Sequence, residues 1–171
     1  MKKIPENREE AIKQAYNNGK ENELKYHGCS QCTILAVQDV LGMRDDKILK
    51  VASGLAGGVG GMRATCGALL GASIMLGLKY GREREELNNE DKLDSSLEPV
   101  GKLYKWFERE FGSAKCLEIL TKHGGGTFYD INVPWQAELA EEAKVLEKCA
   151  ELVGKTAAKV VEMLWDSIER K

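Results

Sequence analysis

The run Ala64–Leu78, ATCGALLGASIMLGL, constrains the fold of this chain more than any other segment. It is the longest apolar stretch, and it is rich in glycine and alanine. It falls short of the roughly 20 residues that a helix needs to cross a bilayer. It therefore reads as a helix buried in a protein core, with more polar segments packed around it. A chain of 171 residues, 43% hydrophobic and 30% charged, can bury such a core within one domain.

The rest of the pattern is helical almost throughout. Residues 6–18 place Ala11, Ile12, Ala15 and Tyr16 at helical spacing. SQCTILAVQDVL predicts a second helix that stops before Gly42. DDKILKVASGL is a short third, ended by glycines, and TCGALLGASIMLGLKYG a fourth, ended by Gly81. SSLEPVGKLYKWFEREFG is a fifth, in which Ser95 and Glu98 match a capping box, Pro99 sits near the start and Gly112 marks the end. SAKCLEILTKHG is a sixth, and Pro134 opens a long last helix with a kink or break at Gly154. Residues 87–94 read as a polar loop, and only TFYDINV, 127–133, has the character of a strand. The expectation is an all-α fold: one helical domain over residues 1–171, a bundle of about six or seven helices.

A net charge of −2, with acids and bases interspersed, carries no footprint for nucleic acid or an anionic membrane. Lys2 and Lys3 are not followed by an apolar segment, so no secretory signal is expected and the compartment expected is the cytoplasm. In that reducing setting five cysteines do not suggest a disulfide framework, and their odd number leaves one unpaired in any pairing scheme.

Three local motifs recommend chemistry that their context denies. GLAGGVGGMR, 54–63, is glycine-rich, but it lacks the lysine of a P-loop, and Arg63 stands where a dinucleotide fingerprint needs its third glycine. A tight loop whose backbone approaches a helix or a small inorganic cofactor remains. HGGG, 123–126, lacks the G-x-S-x-G elbow of an esterase, and reads as a helix end and turn. The pair Cys29–Cys32 lacks the βαβ setting of a thioredoxin. With two histidines, His27 and His123, no histidine-rich metal site can be built, and each reads as a surface or capping residue.

The cysteines are more informative by position. Cys29 lies at the start of the helix that begins around Ser30, Cys66 follows Thr65, and Cys116 lies three residues after Ser113; Thr65 and Ser113 are good N-caps. Helix N-termini carry partial positive charge and free N–H donors, which favour thiolate, the form that binds metal or attacks. Arg63 adds a positive charge close to Cys66 in sequence. Lowered thiol pKa values are expected on this ground.

The ordered set of motifs resembles a known family. CSQ at 29–31, ASGLAGGVG at 52–60, CGALLG at 66–71, LKYG at 78–81, FGSAKCLEIL at 111–120 and EKCAELVGKTA at 147–157 are similar to the C-GCAxxG-C-C proteins, which are named for four cysteines and described as redox-active. The likeness covers nearly the whole chain from about residue 10. A related domain holds an iron–sulfur centre in a haem cytochrome, so the resemblance implies an iron–sulfur cluster; [2Fe–2S] is one form it can take, and zinc or no cofactor are the alternatives. It implies Cys29, Cys66, Cys116 and Cys149 as metal ligands, with Cys32 where the family carries a small residue. No C-x-x-C-H is present, so haem is not implied.

The leading expectation is an iron–sulfur protein for electron transfer or redox sensing, with Gly57, Gly58, Gly60, Gly61 and Gly67 as close-approach backbone. Three readings compete. One is a metal-free oxidoreductase using thiol–disulfide exchange, with Cys29 as nucleophile and Cys32 or Cys66 as its resolving thiol. Another is a structural zinc site. The last is a helical module in which cysteines merely pack. Cys29 and Cys66 are the reacting thiols common to the redox readings. The expected partners are a redox protein of unstated identity and a second copy of the chain, for which Gly67 and Gly71 offer a small helix face.

Overall fold

The computed structural model describes residues 5–167. Among them are eight α-helices: α1 (Arg8–Tyr26), α2 (Cys29–Leu41), α3 (Asp46–Val51), α4 (Gly67–Tyr80), α5 (Glu90–Phe111), α6 (Cys116–His123), α7 (Pro134–Glu142) and α8 (Val145–Leu164). The all-α expectation holds, with one helix more than the upper expected number. The extra helix arises because the long last helix divides. The division falls at Lys144, which takes a left-handed φ of 54°, and not at Gly154.

Gly154 has a different task. A Cβ there would stand 2.6 Å from the carbonyl oxygen of Tyr16, and one on Gly19 would stand 3.0 Å from the Cα of Gly154. The two glycines let α1 and α8 cross almost backbone to backbone. Lys20 and Tyr16 of α1 both reach the Glu151 carboxylate of α8 alongside this crossing.

The apolar run forms α4, as its composition requires, and buries Ala68, Leu69, Ala72, Met75 and Leu76. It packs on α2 and α8; α5 covers it with the fully buried Leu103 and Phe107. Gly71 of α4 lies against the carbonyl of Ser30 in α2. The small face of α4 is thus used inside the chain. No helix among the described residues is long and apolar enough to cross a membrane.

Three boundaries differ from expectation. α1 continues to Tyr26 and ends at His27 in a left-handed conformation. α5 begins at Glu90, inside the expected polar loop, because the Asn89 side chain accepts from the Lys92 N–H and Glu90 and Asp91 complement the positive helix start. Ser95 is therefore interior and donates to the Lys92 carbonyl, and Pro99 lies within a continuous helix. Residues 127–133 form no strand, since no neighbouring strand exists to pair with them.

The one β-type pairing among the described residues is an isolated antiparallel bridge between Thr65 and Lys115. The Cys66 N–H donates to the Ala114 carbonyl at 2.8 Å, and the Cys116 N–H donates to the Ala64 carbonyl at 2.6 Å. This clamp ties the start of α4 to the start of α6.

Candidate functional site

The clamp brings Cys66 and Cys116 together at helix starts. Cys66 is the N-cap of α4, Cys116 is the first residue of α6 and Cys29 is the first residue of α2. The caps expected at Thr65 and Ser113 are displaced by one and two residues; the Ser113 hydroxyl instead accepts from the Lys115 N–H. Cys149 projects from the first turns of α8. All four line a single cavity of about 620 Å³. Cys32 is 2% exposed, packs in the core and does not line that cavity.

Local chemistry places each thiol. The Ser30 hydroxyl donates to the Ala52 carbonyl at 2.8 Å and anchors the start of α2 to the turn that precedes the glycine loop. Gly67 lies directly beneath the Cys29 sulfur, and Gly58 lies beneath Cys116, where a Cβ would come within 2.8 Å of the Cys116 Cβ.

The loop folds on itself. Gly57, Gly58, Val59, Gly60, Gly61 and Arg63 all have positive φ. The N–H groups of Val59, Gly60, Gly61, Arg63 and Ala64 donate to carbonyls of the same loop or of the turn before it. That leaves no phosphate cradle. The Gly57 N–H reaches the Cys29 sulfur. Gly57 therefore lines the cavity and Gly58 packs against Cys116, while Gly60 and Gly61 have nothing within 4 Å of where a Cβ would be.

The expected lowering of thiol pKa does not occur. Burial pushes Cys29 up to about 11, and Cys32 and Cys149 up to about 12. It also raises Cys66 and Cys116. N–H groups of Ala68 and Leu69 aimed at Cys66, and of Gly57 and Ser30 aimed at Cys29, offset part of this. Loss of water around a charged sulfur outweighs a helix terminus.

Two charged groups face the thiols. The Arg63 guanidinium bonds to Cys116, favours its thiolate and that of Cys149, and lies 5.9 Å from the Phe128 ring centroid. Glu23 acts in the opposite sense on Cys29, Cys32 and Cys149. His123 Nδ1 lies 3.6 Å from the Cys149 sulfur. Burial, Lys148 and Lys122 push His123 down to about 4, so it is neutral at pH 7.

Sequence reasoning missed Glu23 and the contact of His123 with Cys149. A single glutamate on a polar helix and a histidine at a helix end carry no local signal of what they face. Arg63 was noticed beside Cys66, but its guanidinium bonds to Cys116 instead.

The donors that line the cavity include four thiols and the Glu23 carboxylate. All five cysteines are free thiols. Among the described residues no three His, Cys, Asp or Glu side chains converge to hold one metal ion. Cys29, Cys66, Cys116 and Cys149 share the cavity lining instead. Oε2 of Glu23, buried at the same cavity, has no hydrogen-bond partner. Sulfur donors around a shared volume and an orphaned carboxylate oxygen both favour an occupant with positive charge.

Residues 27–163 match a family model described as "Putative redox-active protein (C_GCAxxG_C_C)". No curated protein and no solved structure matches the chain.

Proposed function

The chain belongs to the C_GCAxxG_C_C family of redox-active proteins, and from that premise we propose that Cys29, Cys66, Cys116 and Cys149 hold an iron–sulfur cluster used for electron transfer or redox sensing. The observation that carries this reading is the meeting of four sequence-distant cysteines on one cavity. Their raised pKa values add to it. Metal-free, these thiols stay protonated and are poor nucleophiles, whereas a bound cation reverses the balance and deprotonates them. Low-pKa thiol exchange at Cys29 is accordingly less well supported, and so is one zinc ion, which needs four convergent ligands.

When bound, such a cluster supplies one-electron transfer at a potential set by its charge, by hydrogen bonds to its sulfurs and by burial. The protein's contribution follows from residues already placed. Gly57, Ser30, Ala68 and Leu69 aim N–H donors at Cys29 and Cys66. Arg63 stabilises negative charge at Cys116 and Cys149. Apolar walls from Ile119, Leu152 and Val153 limit water at the thiols. A [2Fe–2S] cluster in a cytoplasmic protein, exchanging electrons with a protein partner, is the form we favour.

The test is purification without air, followed by iron and acid-labile sulfide analysis and an absorption spectrum. Iron and sulfide bound in similar amounts, with visible charge-transfer bands, support the reading. Colourless protein free of both overturns it.

A further inference from the structure

Glu23 is placed where a carboxylate is poorly tolerated. It sits in the last turns of α1, where the helix macrodipole is negative and acids are disfavoured. The residue is 6% exposed. The Gly28 N–H and the Cys32 thiol bond to its carboxylate, yet Oε2 accepts nothing. Among the described residues no ion pair neutralises it. Burying a carboxylate with an open lone pair is costly unless a positive group meets it. The open oxygen belongs to a side chain that lines the cavity holding Cys29 and Cys149.

We propose that Oε2 of Glu23 is an oxygen donor to metal held in the cysteine cavity, so that the protein offers four thiolates and one carboxylate. This rests on the cluster reading and deepens it. Glu23 lies upstream of the residues that match the family model, 27–163. Positive charge at that point would also relieve the strain that Glu23 places on Cys29, Cys32 and Cys149.

The test compares wild type with Glu23→Gln, which keeps the size and removes the charge. Both are reconstituted anaerobically with iron and sulfide. Iron affinity is read by competition with a chelator, and iron coordination by Mössbauer spectroscopy. Loss of a donor lowers affinity by about tenfold or more. The wild-type spectrum is expected to contain an iron site with oxygen character that disappears in Glu23→Gln. Equal affinity and identical spectra overturn the assignment of Glu23 while leaving the cluster reading intact. Wild type that takes up no iron overturns both. If Glu23→Gln does not fold, Glu23→Asp, with a shorter arm, replaces it; unchanged affinity and spectrum in that variant likewise overturn the proposal.

Discussion

The sulfur of Cys29 stands where a Cβ on Gly67 would have to be, and the Leu55 carbonyl oxygen lies 2.9 Å from the same point. The first residue of α2 and the first residue of α4 thus meet with no room for a methyl group. This contact gives the second position of CGALLG a specific reason to be glycine: the neighbouring helix delivers its thiol through that space.

Gly67→Ala should therefore displace the Cys29 thiol and leave the helices formed. The expected outcome is unchanged far-ultraviolet circular dichroism with iron content well below that of wild type after reconstitution. Full iron content in a folded Gly67→Ala protein would show that the contact does not position a ligand.

The four cavity thiols should behave as a set and Cys32 as an outsider. Serine at Cys29, Cys66, Cys116 or Cys149 is expected to abolish or alter the visible spectrum. Cys32→Ala should keep it, at a stability loss of about 1 kcal/mol for truncating a buried side chain. Loss of the spectrum in Cys32→Ala alone would reassign the fourth ligand.

Metal-free protein should resist alkylation and lose stability in alkali. A raised thiol pKa means that the native state holds its protons more tightly than the unfolded chain. The associated stability is complete below the unfolded thiol value of roughly 8.5 and is lost as pH rises through the folded values. Those are about 11 for Cys29 and about 12 for Cys149. Urea unfolding at pH 7 and pH 10 should show the lower midpoint at pH 10. Iodoacetamide should modify the native thiols more slowly at pH 7 than it modifies a free cysteine; faster modification of Cys29 would restore the nucleophile reading.

Arg63 should raise the reduction potential, since reduction adds negative charge close to its guanidinium. Replacement by glutamine is expected to lower the midpoint by roughly 30–60 mV, the one-electron equivalent of about 1 kcal/mol of Coulomb energy. Lysine should restore part of the shift. A potential that ignores the charge at this position would remove Arg63 from the site.

Away from the cavity, Gly154→Ala tests the α1–α8 crossing. The added methyl would meet the Tyr16 carbonyl oxygen at 2.6 Å and its ring at 3.1 Å. Overpacking of this kind costs about 1–3 kcal/mol. The thermal midpoint should fall, and iron uptake by the folded fraction should not.

Much of this molecule was legible in the sequence because its signals are local. The apolar run had to be a buried helix, and glycine at 42 and 112 ended helices as expected, with left-handed φ values of 69° and 89°. Cysteines at helix starts could be read from neighbouring caps, and the cap positions erred by only a residue or two. The early start of α5 was hidden because Pro99 looked like a beginning, whereas the cap at Asn89 and the acids after it decided the matter. The break at Lys144 had no local signature, since lysine is an ordinary helix residue.

Local sequence carries the helical class, the placing of cysteines at or beside helix starts and the need for a tight loop before Cys66. Tertiary structure alone decided that Cys29 and Cys149, 120 positions apart by their numbers (149 − 29), line one cavity. It also decided that the thiol pKa values rise, and that Glu23, with one unpartnered oxygen, lines the same cavity. The division has a physical cause. Helix formation and capping depend on residues within about one turn, whereas desolvation and charge at a buried atom depend on everything packed around it, whatever its distance along the chain.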